Sequence, residues 1–249
     1  MIDVKDLHVS FNDNHVLKGL TTLIEEQQAT VIIGRSGIGK SVFLRSLCGL
    51  ITPQKGTILI DEEDITNCSR KKMLKIRNKI GMLFQEGALF DSLTVYDNVA
   101  FPLTYHKLMD RAAIDKKVRK YLELVEMQNF LEAMPSELSG GMKRKVAIAR
   151  TMILEPKYLF YDEPTSGLDP YSAAIVEIMI KKLQEELNIT SLIVTHDIDL
   201  TNFIGDSIAL LEDGFIIEKT SKVEAFKKNS LIYEHFIKKR ERIQQVNGY

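Results

Sequence analysis

The spacing of apolar residues changes along the chain, and each change predicts an element. Residues Ile2 to Ser10 alternate apolar and polar, with Ile2, Val4, Leu7 and Val9 as the apolar positions, which predicts a half-buried strand. Asn12-Asp13-Asn14 reads as a turn, and Val16-Leu17 with Leu20 to Ile24 as a second strand. A second turn, Lys55-Gly56, precedes the strand Thr57-Ile58-Leu59-Ile60. Together these predict a small antiparallel sheet. Four other runs are apolar without alternation: Thr30 to Ile33, Ile80 to Phe84, Lys157 to Tyr161 and Ser191 to Thr195. Such runs suit strands buried on both faces. Ile208 to Leu211 and Phe215 to Glu218 form a hairpin through Glu212-Asp213-Gly214.

Helical spacing fills the intervals. The predicted helices start after Lys40-Ser41, then run over Arg70 to Lys79, Val95 to Tyr105 with Thr94 as N-cap, and Arg111 to Met127. The last of these carries Ile114, Val118, Leu122 and Val125 on one face. Pro135 interrupts the pattern before helices at Val146 to Leu154, Tyr171 to Leu187, Lys222 to Lys228 and Leu231 to Arg242. The expected fold is α/β. A nucleotide-binding core spans 1–85 and 155–230 with its antiparallel β subdomain, 86–154 is an inserted α-helical subdomain, and 231–249 is a helical tail. All belong to one domain of 1–249.

Composition narrows the function. The chain has 249 residues and is 45% hydrophobic, enough for one large α/β domain or two small ones. Its 33 basic and 34 acidic side chains leave a net charge of -1, which gives no electrostatic reason to bind nucleic acid. The basic stretch Arg70 to Lys79 reads as a solvated face. Two cysteines, Cys48 and Cys68, make neither a disulfide framework nor a metal cluster, so both are expected reduced in the cytosol. The N-terminal residues carry early acidic charge and no apolar run, unlike a secretory signal. No stretch approaches the roughly 20 apolar residues of a spanning helix. Work at a membrane would therefore need a partner that spans it.

Between the strand Thr30 to Ile33 and the next helix lies Gly34-Arg35-Ser36-Gly37-Ile38-Gly39-Lys40-Ser41, followed by Val42. This is the G-x-x-x-x-G-K-[ST] pattern of a P-loop. Its glycines let backbone N–H groups point inward at phosphate oxygens, above a helix N-terminus. Lys40 is expected at the β- and γ-phosphates and the Ser41 hydroxyl at Mg²⁺. Gln85 ends a core strand, either as a capping polar residue or as a ligand of the metal that positions water. Asp162-Glu163 end another: Asp162 is placed to hold Mg²⁺ through water and Glu163 to polarise the attacking water. The ordered turn Pro164 to Pro170 follows directly and argues against two merely solvated carboxylates. His196 ends a parallel strand, from which its imidazole reaches the γ-phosphate unless it is structural. Ser139-Gly140-Gly141 opens a helix as a second anion-binding geometry, though Ser-Gly-Gly is also an ordinary loop. Phe11 at the first turn either stacks on an adenine or caps the sheet edge.

Phe11, Gly34 to Ser41, Gln85, Leu138 to Met142, Phe160 to Glu163, Ser166 to Asp169 and His196 stand in the order of an ABC-transporter ATP-binding subunit. They resemble its adenine-stacking aromatic, Walker A, Q-loop, signature, Walker B, D-loop and H-loop, over roughly Met1 to Phe226. The resemblance implies a RecA-like P-loop NTPase core. It also implies a head-to-tail dimer with ATP and Mg²⁺ between the P-loop of one copy and Ser139, Gly140, Gly141 and Met142 of the other. Hydrolysis through Glu163 would then open the interface, with Asp169 of the D-loop beside it. Met142 replaces the usual Gln, so that side-chain amide is missing. More narrowly, the runs Phe84 to Leu103 and Met134 to Met142 look like the Mla/Mce-type lipid-transport ATPases. That group implies a transmembrane permease, an MCE-domain lipid-binding protein, and a place on the cytoplasmic face of the inner membrane, peripheral via the permease. On the same reading, Gly87 to Thr94 and Val95 to Tyr105 accept a cytoplasmic helix of the permease. The alternatives are an importer of an amino acid or ion, a soluble ABC-type ATPase of repair or translation, and a small-molecule P-loop kinase. The single cassette with its short insertion argues against the soluble ATPase. Ser139-Gly140-Gly141 and His196 have no role in a kinase.

Overall fold

The computed structural model describes residues 1–106 and 109–238. In chain order the elements are β1 (Ile2–Phe11), β2 (Asn14–Ile24), β3 (Ala29–Ile33), α1 (Lys40–Leu47), β4 (Lys55–Ile60), β5 (Glu63–Asp64), α2 (Arg70–Arg77) and β6 (Ile80–Leu83). Then come α3 (Val95–His106), α4 (Arg111–Leu124), a 3₁₀ turn (Pro135–Glu137), α5 (Gly140–Met152), β7 (Tyr158–Asp162) and α6 (Pro170–Leu187). The chain continues with β8 (Thr190–Thr195), α7 (Ile198–Ile204), β9 (Ser207–Glu212), β10 (Phe215–Ser221), α8 (Lys222–Ala225) and a π-helical turn (Tyr233–Ile237). Two compact units divide it: Met1–Leu74 with Thr190–Tyr249, and Lys75–Ile189.

In the first unit an antiparallel sheet runs β2-β1-β4-β5. A second sheet places β3 parallel to both β8 and β9, with Val31 opposite Ile193 and Ile208, and β10 antiparallel outside β9. Ala29 to Ile33 are all fully buried, which is why that run shows no alternation. The two segments expected in β2 are one strand. Lys18-Gly19 breaks the apolar pattern because Gly19 adopts φ 121 beside irregular pairing with β1.

The C-terminal segment closes the first unit. Ile33, Ile208, Leu210, Ala225 and Ile232 form one buried cluster, with Ile198, Phe226 and Phe236 against it. The Ile232 amide and the Ser230 hydroxyl both donate to Glu218 Oε2, at 3.0 and 2.9 Å. α8 ends three residues before the expected Lys228, and the expected helix from Leu231 includes a π-helical turn. Residues 239–249 of the expected tail lie outside the described residues. α7 was not expected: it has seven residues, and Asp197 caps it by accepting from the Asp199 and Leu200 amides.

In the second unit β6 and β7 pair in parallel, with Leu83 opposite Tyr161, and helices α3, α4, α5 and α6 pack together. α4 stops at Leu124 rather than Met127, because Glu126 turns left-handed at φ 57 and the Met127 amide donates back to the Leu122 carbonyl. α5 starts at Gly140, six residues ahead of the apolar run that predicted it. Ser139 caps it, its Oγ accepting from the Met142 amide at 3.3 Å. A Cβ on Gly141 would sit 3.0 Å from Ser172 of α6, so glycine permits the close helix contact.

Candidate functional site

In the first unit the phosphate-type loop is built by crowding. Gly34 follows fully buried β3, and a Cβ there would lie 2.7 Å from the Leu211 carbonyl oxygen. Gly37 and Gly39 are left-handed, at φ 77 and 114, which lets the chain curl before α1. Val16 of β2 packs where a Gly39 Cβ would be, 2.8 Å away. Arg35, Ser36 and Gly37 are exposed, while Ile38, Ser41 and Val42 are half-buried. Lys40 is the first residue of α1 and only 4% exposed, with its Nζ donating to the Gly34 and Arg35 carbonyls at 2.8 and 3.1 Å. The charge is thus held against the loop that curls around it.

The register of β3 with β8 sets Ile33 opposite Thr195. His196 therefore leaves the same sheet edge, at the same level, as Gly34; its side chain is exposed. That edge is the carboxyl end of parallel strands, where open α/β sheets bind ligands. Phe11 ends β1 with a 47% exposed ring, paired in register with Asn14, two residues before Val16.

The second unit repeats the logic. Leu83 opposite Tyr161 brings Gln85 and Glu163 out of one strand edge together. Asp162 is 2% exposed, and Glu163 sits half-buried on a left-handed backbone at φ 48. Ser139 and Gly140 are exposed at the start of α5, and a Gly140 Cβ would meet Leu168 at 3.2 Å. Asp169 caps α6, accepting from the Tyr171 and Ser172 amides at 3.1 and 3.0 Å. Hydrogen bonding from the Ser172 side chain, then from these amides, holds its carboxyl below the usual carboxylate range. Met142 contributes its backbone amide to the cap, a role that does not use the thioether side chain. Ser41, Gln85 and Asp162 are a hydroxyl, an amide oxygen and a carboxylate, the hard donors that suit Mg²⁺. Among the described residues no three His, Cys, Asp or Glu side chains cluster as a metal site by themselves.

Three residues that sequence reasoning passed over organise the segment after Gln85. Asn98 is fully buried; its Oδ1 accepts from the Phe90 amide at 2.8 Å, and its Nδ2 donates to the Phe90, Leu93 and Thr94 carbonyls at 3.0 Å each. Arg150 donates to the Ala88 and Gly87 carbonyls, both at 2.8 Å, with its guanidinium 5.6 Å from the Phe90 ring. Burial pulls its pKa down. The grip holds consecutive left-handed residues, Gly87 at φ 77 and Ala88 at φ 51. Arg144 reaches the Phe84 carbonyl at 2.9 Å. The signals were present: a polar Asn among Val95, Val99 and Ala100, and arginines on the buried side of α5. Asn98→Ala is expected to cost about 2–4 kcal/mol, because it strands the Phe90 amide and frees three carbonyls. Denaturant unfolding would measure it, and a cost below about 0.5 kcal/mol would show the loop to be held otherwise.

The segment's outer face is aromatic. Phe90 and Phe101 are tilted with ring centroids 4.7 Å apart, and Phe101 and Tyr105 stack at 5.7 Å. Phe90 and Tyr105 are 42% and 70% exposed. Among the described residues no helix is long and apolar enough to cross a membrane.

A family model described as ABC transporter matches residues 17–166. The intermembrane phospholipid transport system ATP-binding protein MlaF of Haemophilus influenzae is 36% identical over 238 residues, 96% of this chain and 90% of that protein. The probable ribonucleotide transport ATP-binding protein mkl of Mycobacterium leprae is 40% identical over 84% of this chain, which spans only 60% of mkl's length. The methionine import ATP-binding protein MetN of Clostridium tetani is 41% identical over 85% of this chain and 66% of its own. The dimeric post-hydrolysis structure of the ATP-binding cassette MJ0796, bound to ADP and Pi, superposes with a TM-score of 0.81 at 31% identity, covering 89% of this chain and 99% of that one. The α/β core, the ordered motifs and these likenesses agree: the chain belongs to the ABC transporter family, as an ATP-binding subunit of the ATPase type.

Proposed function

We propose that this ATPase subunit dimerises head to tail around two ATP and drives a permease that moves phospholipid between membranes. The observation that carries the substrate is the likeness to MlaF, which runs nearly end to end in both chains. The likenesses to mkl and MetN leave about a third or more of those proteins unmatched. The 41% identity to MetN favours a second reading, import of an amino acid.

Each motif residue is given the role that its chemistry and the ordered set of motifs support. Backbone N–H groups from Gly34 to Val42 cradle the phosphates, Lys40 neutralises the β- and γ-oxygens, and Phe11 stacks on the adenine. Ser139, Gly140 and Gly141 of a second copy close on the γ-phosphate, since one chain holds two anion-binding loops and a two-fold dimer uses both. Glu163 takes the proton of the attacking water, while His196 and Gln85 hold water and γ-phosphate in line. Asp169 orders the turn that faces the second copy. Ser41, Gln85 and Asp162 would hold Mg²⁺, which would supply neutralisation of phosphate charge. The aromatic face of Phe90, Phe101 and Tyr105 receives a cytoplasmic helix of the permease, next to Gln85 in the chain. This seats the protein on the cytoplasmic face of the inner membrane, with an MCE-domain protein as the lipid-binding partner.

An affinity pull-down from detergent-solubilised native membranes, read by protein and lipid mass spectrometry, tests the reading. A polytopic permease with an MCE-domain protein and phospholipid is expected. A permease with a solute-binding protein would establish import instead, and no membrane partner would point to a soluble ATPase. In the same assay Ala88→Arg is expected to lose the permease while ATP affinity stays within about twofold, because it adds a cation beside Arg150 on the docking face. Normal permease association would remove this loop from the docking surface.

A further inference from the structure

Arg144 is the most buried cation of α5, 5% exposed, and among the described residues its bonds go to carbonyl oxygens rather than to a carboxylate. Burial lowers its pKa, which the field of Glu86 partly offsets. A guanidinium in such a place carries a desolvation cost that a methionine of similar length would not. Its geometry gives the compensating use. Nη1 donates to the Phe84 carbonyl at 2.9 Å and Nη2 to the Ser166 carbonyl at 3.3 Å. The first carbonyl belongs to the peptide that leads into Gln85. The second lies three residues past Glu163 and three before Asp169. One rigid fork from the helix that Ser139 caps therefore holds both segments.

Small residues bring the same helix close to both. A Gly87 Cβ would lie 3.2 Å from Ala147 Cβ, and a Gly140 Cβ 3.2 Å from Leu168. Each held segment is also a tight turn, through Gly87 N to Phe84 O at 2.8 Å, and through Ser166 N to Glu163 O and Leu168 N to Thr165 O at 3.2 Å each. The fork thus closes on the carbonyl end of one turn and on the middle of the other.

We propose that Arg144 is a positioning residue for ATP hydrolysis, clamping the Gln85 turn and the Glu163–Asp169 turn onto α5 so that the three move as one body. The clamp links the segment that leads to the docking face with the one that leads to the second copy. This rests on the roles given above to Gln85 and Asp169, and the test separates the two.

The test uses Arg144→Met and Arg144→Lys in the full chain, with hydrogen exchange and steady-state ATPase kinetics. In Arg144→Met the amides of Gly87, Ser166 and Leu168 are expected to exchange about tenfold faster together. The kcat is expected to fall about ten- to a hundredfold with the KM for ATP within about twofold, since Lys40 and its loop are untouched. Lysine keeps the charge but lacks two parallel donors, so Arg144→Lys should protect one turn at most and recover only part of kcat. If the methionine variant does not fold, the lysine variant carries the same readouts. Loosening of one turn alone, or of neither, overturns the clamp. Paired loosening with unchanged kcat overturns the proposal through the roles given to Gln85 and Asp169.

Discussion

Glu163→Gln lowers kcat by about 10²–10⁴-fold, the range a positioned general base contributes, while ATP still binds. The substitution keeps length and shape and removes only the basic oxygen. The position tolerates it: Glu163 is left-handed at φ 48, and the turn that follows is closed by backbone, Ser166 N to Glu163 O at 3.2 Å. Asp162 beside it stays buried at the end of β7. In the proposed head-to-tail assembly, blocked hydrolysis preserves the γ-phosphate contacts to both copies, so ATP should hold the dimer closed. The expected result is therefore two-sided. Steady-state phosphate release nearly stops, and size-exclusion chromatography in ATP shows a dimer that the parent forms only transiently. A variant with normal turnover would take the base role away from Glu163. A variant without turnover and without a dimer would leave the chemistry intact and remove the head-to-tail assembly.

Much of the molecule was legible because a few physical patterns are local. Buried parallel strands read as unbroken apolar runs, and β3, β7 and β8 lie within a residue or two of where those runs stand. The Gly34–Ser41 loop announced itself because each glycine answers a local demand, a carbonyl 2.7 Å from Gly34 and left-handed turns at Gly37 and Gly39. What escaped was set by partners distant in sequence. Arg144 reads as one more cation in Lys143-Arg144-Lys145 until β6 and the Ser166 turn are folded against it. Asn98 reads as an interruption of an apolar helix until the Phe90–Thr94 loop wraps its amide. The start of α5 was hidden by glycines that cost a helix about 1 kcal/mol each in isolation. Here they are the residues that let α5 meet Leu168 and Ser172. The roles given to the motif residues rest on the ordered set, since each segment alone is a plausible turn.

Lys40→Ala acts on the same reaction one step earlier, at binding. In the parent, Lys40 is 4% exposed and its Nζ bonds the Gly34 and Arg35 carbonyls at 2.8 and 3.1 Å. The ammonium is thus already desolvated and aimed into the curl of its own loop, so little ordering remains when phosphate arrives. Alanine removes the buried ammonium from among the backbone donors of the loop, together with the two hydrogen bonds that tie the Gly34 and Arg35 carbonyls. Charge-assisted hydrogen bonds contribute about 1.5–3 kcal/mol each. Two of them, to β- and γ-oxygens, correspond to a loss of about 10²–10⁴ in ATP affinity. The loss should shrink for AMP, which has neither phosphate, and that contrast separates lost phosphate contacts from a collapsed loop. Titration calorimetry with ATP and AMP measures both. An equal loss for the two nucleotides would assign Lys40 to the loop's shape, and unchanged ATP affinity would remove Gly34 to Ser41 as the phosphate site.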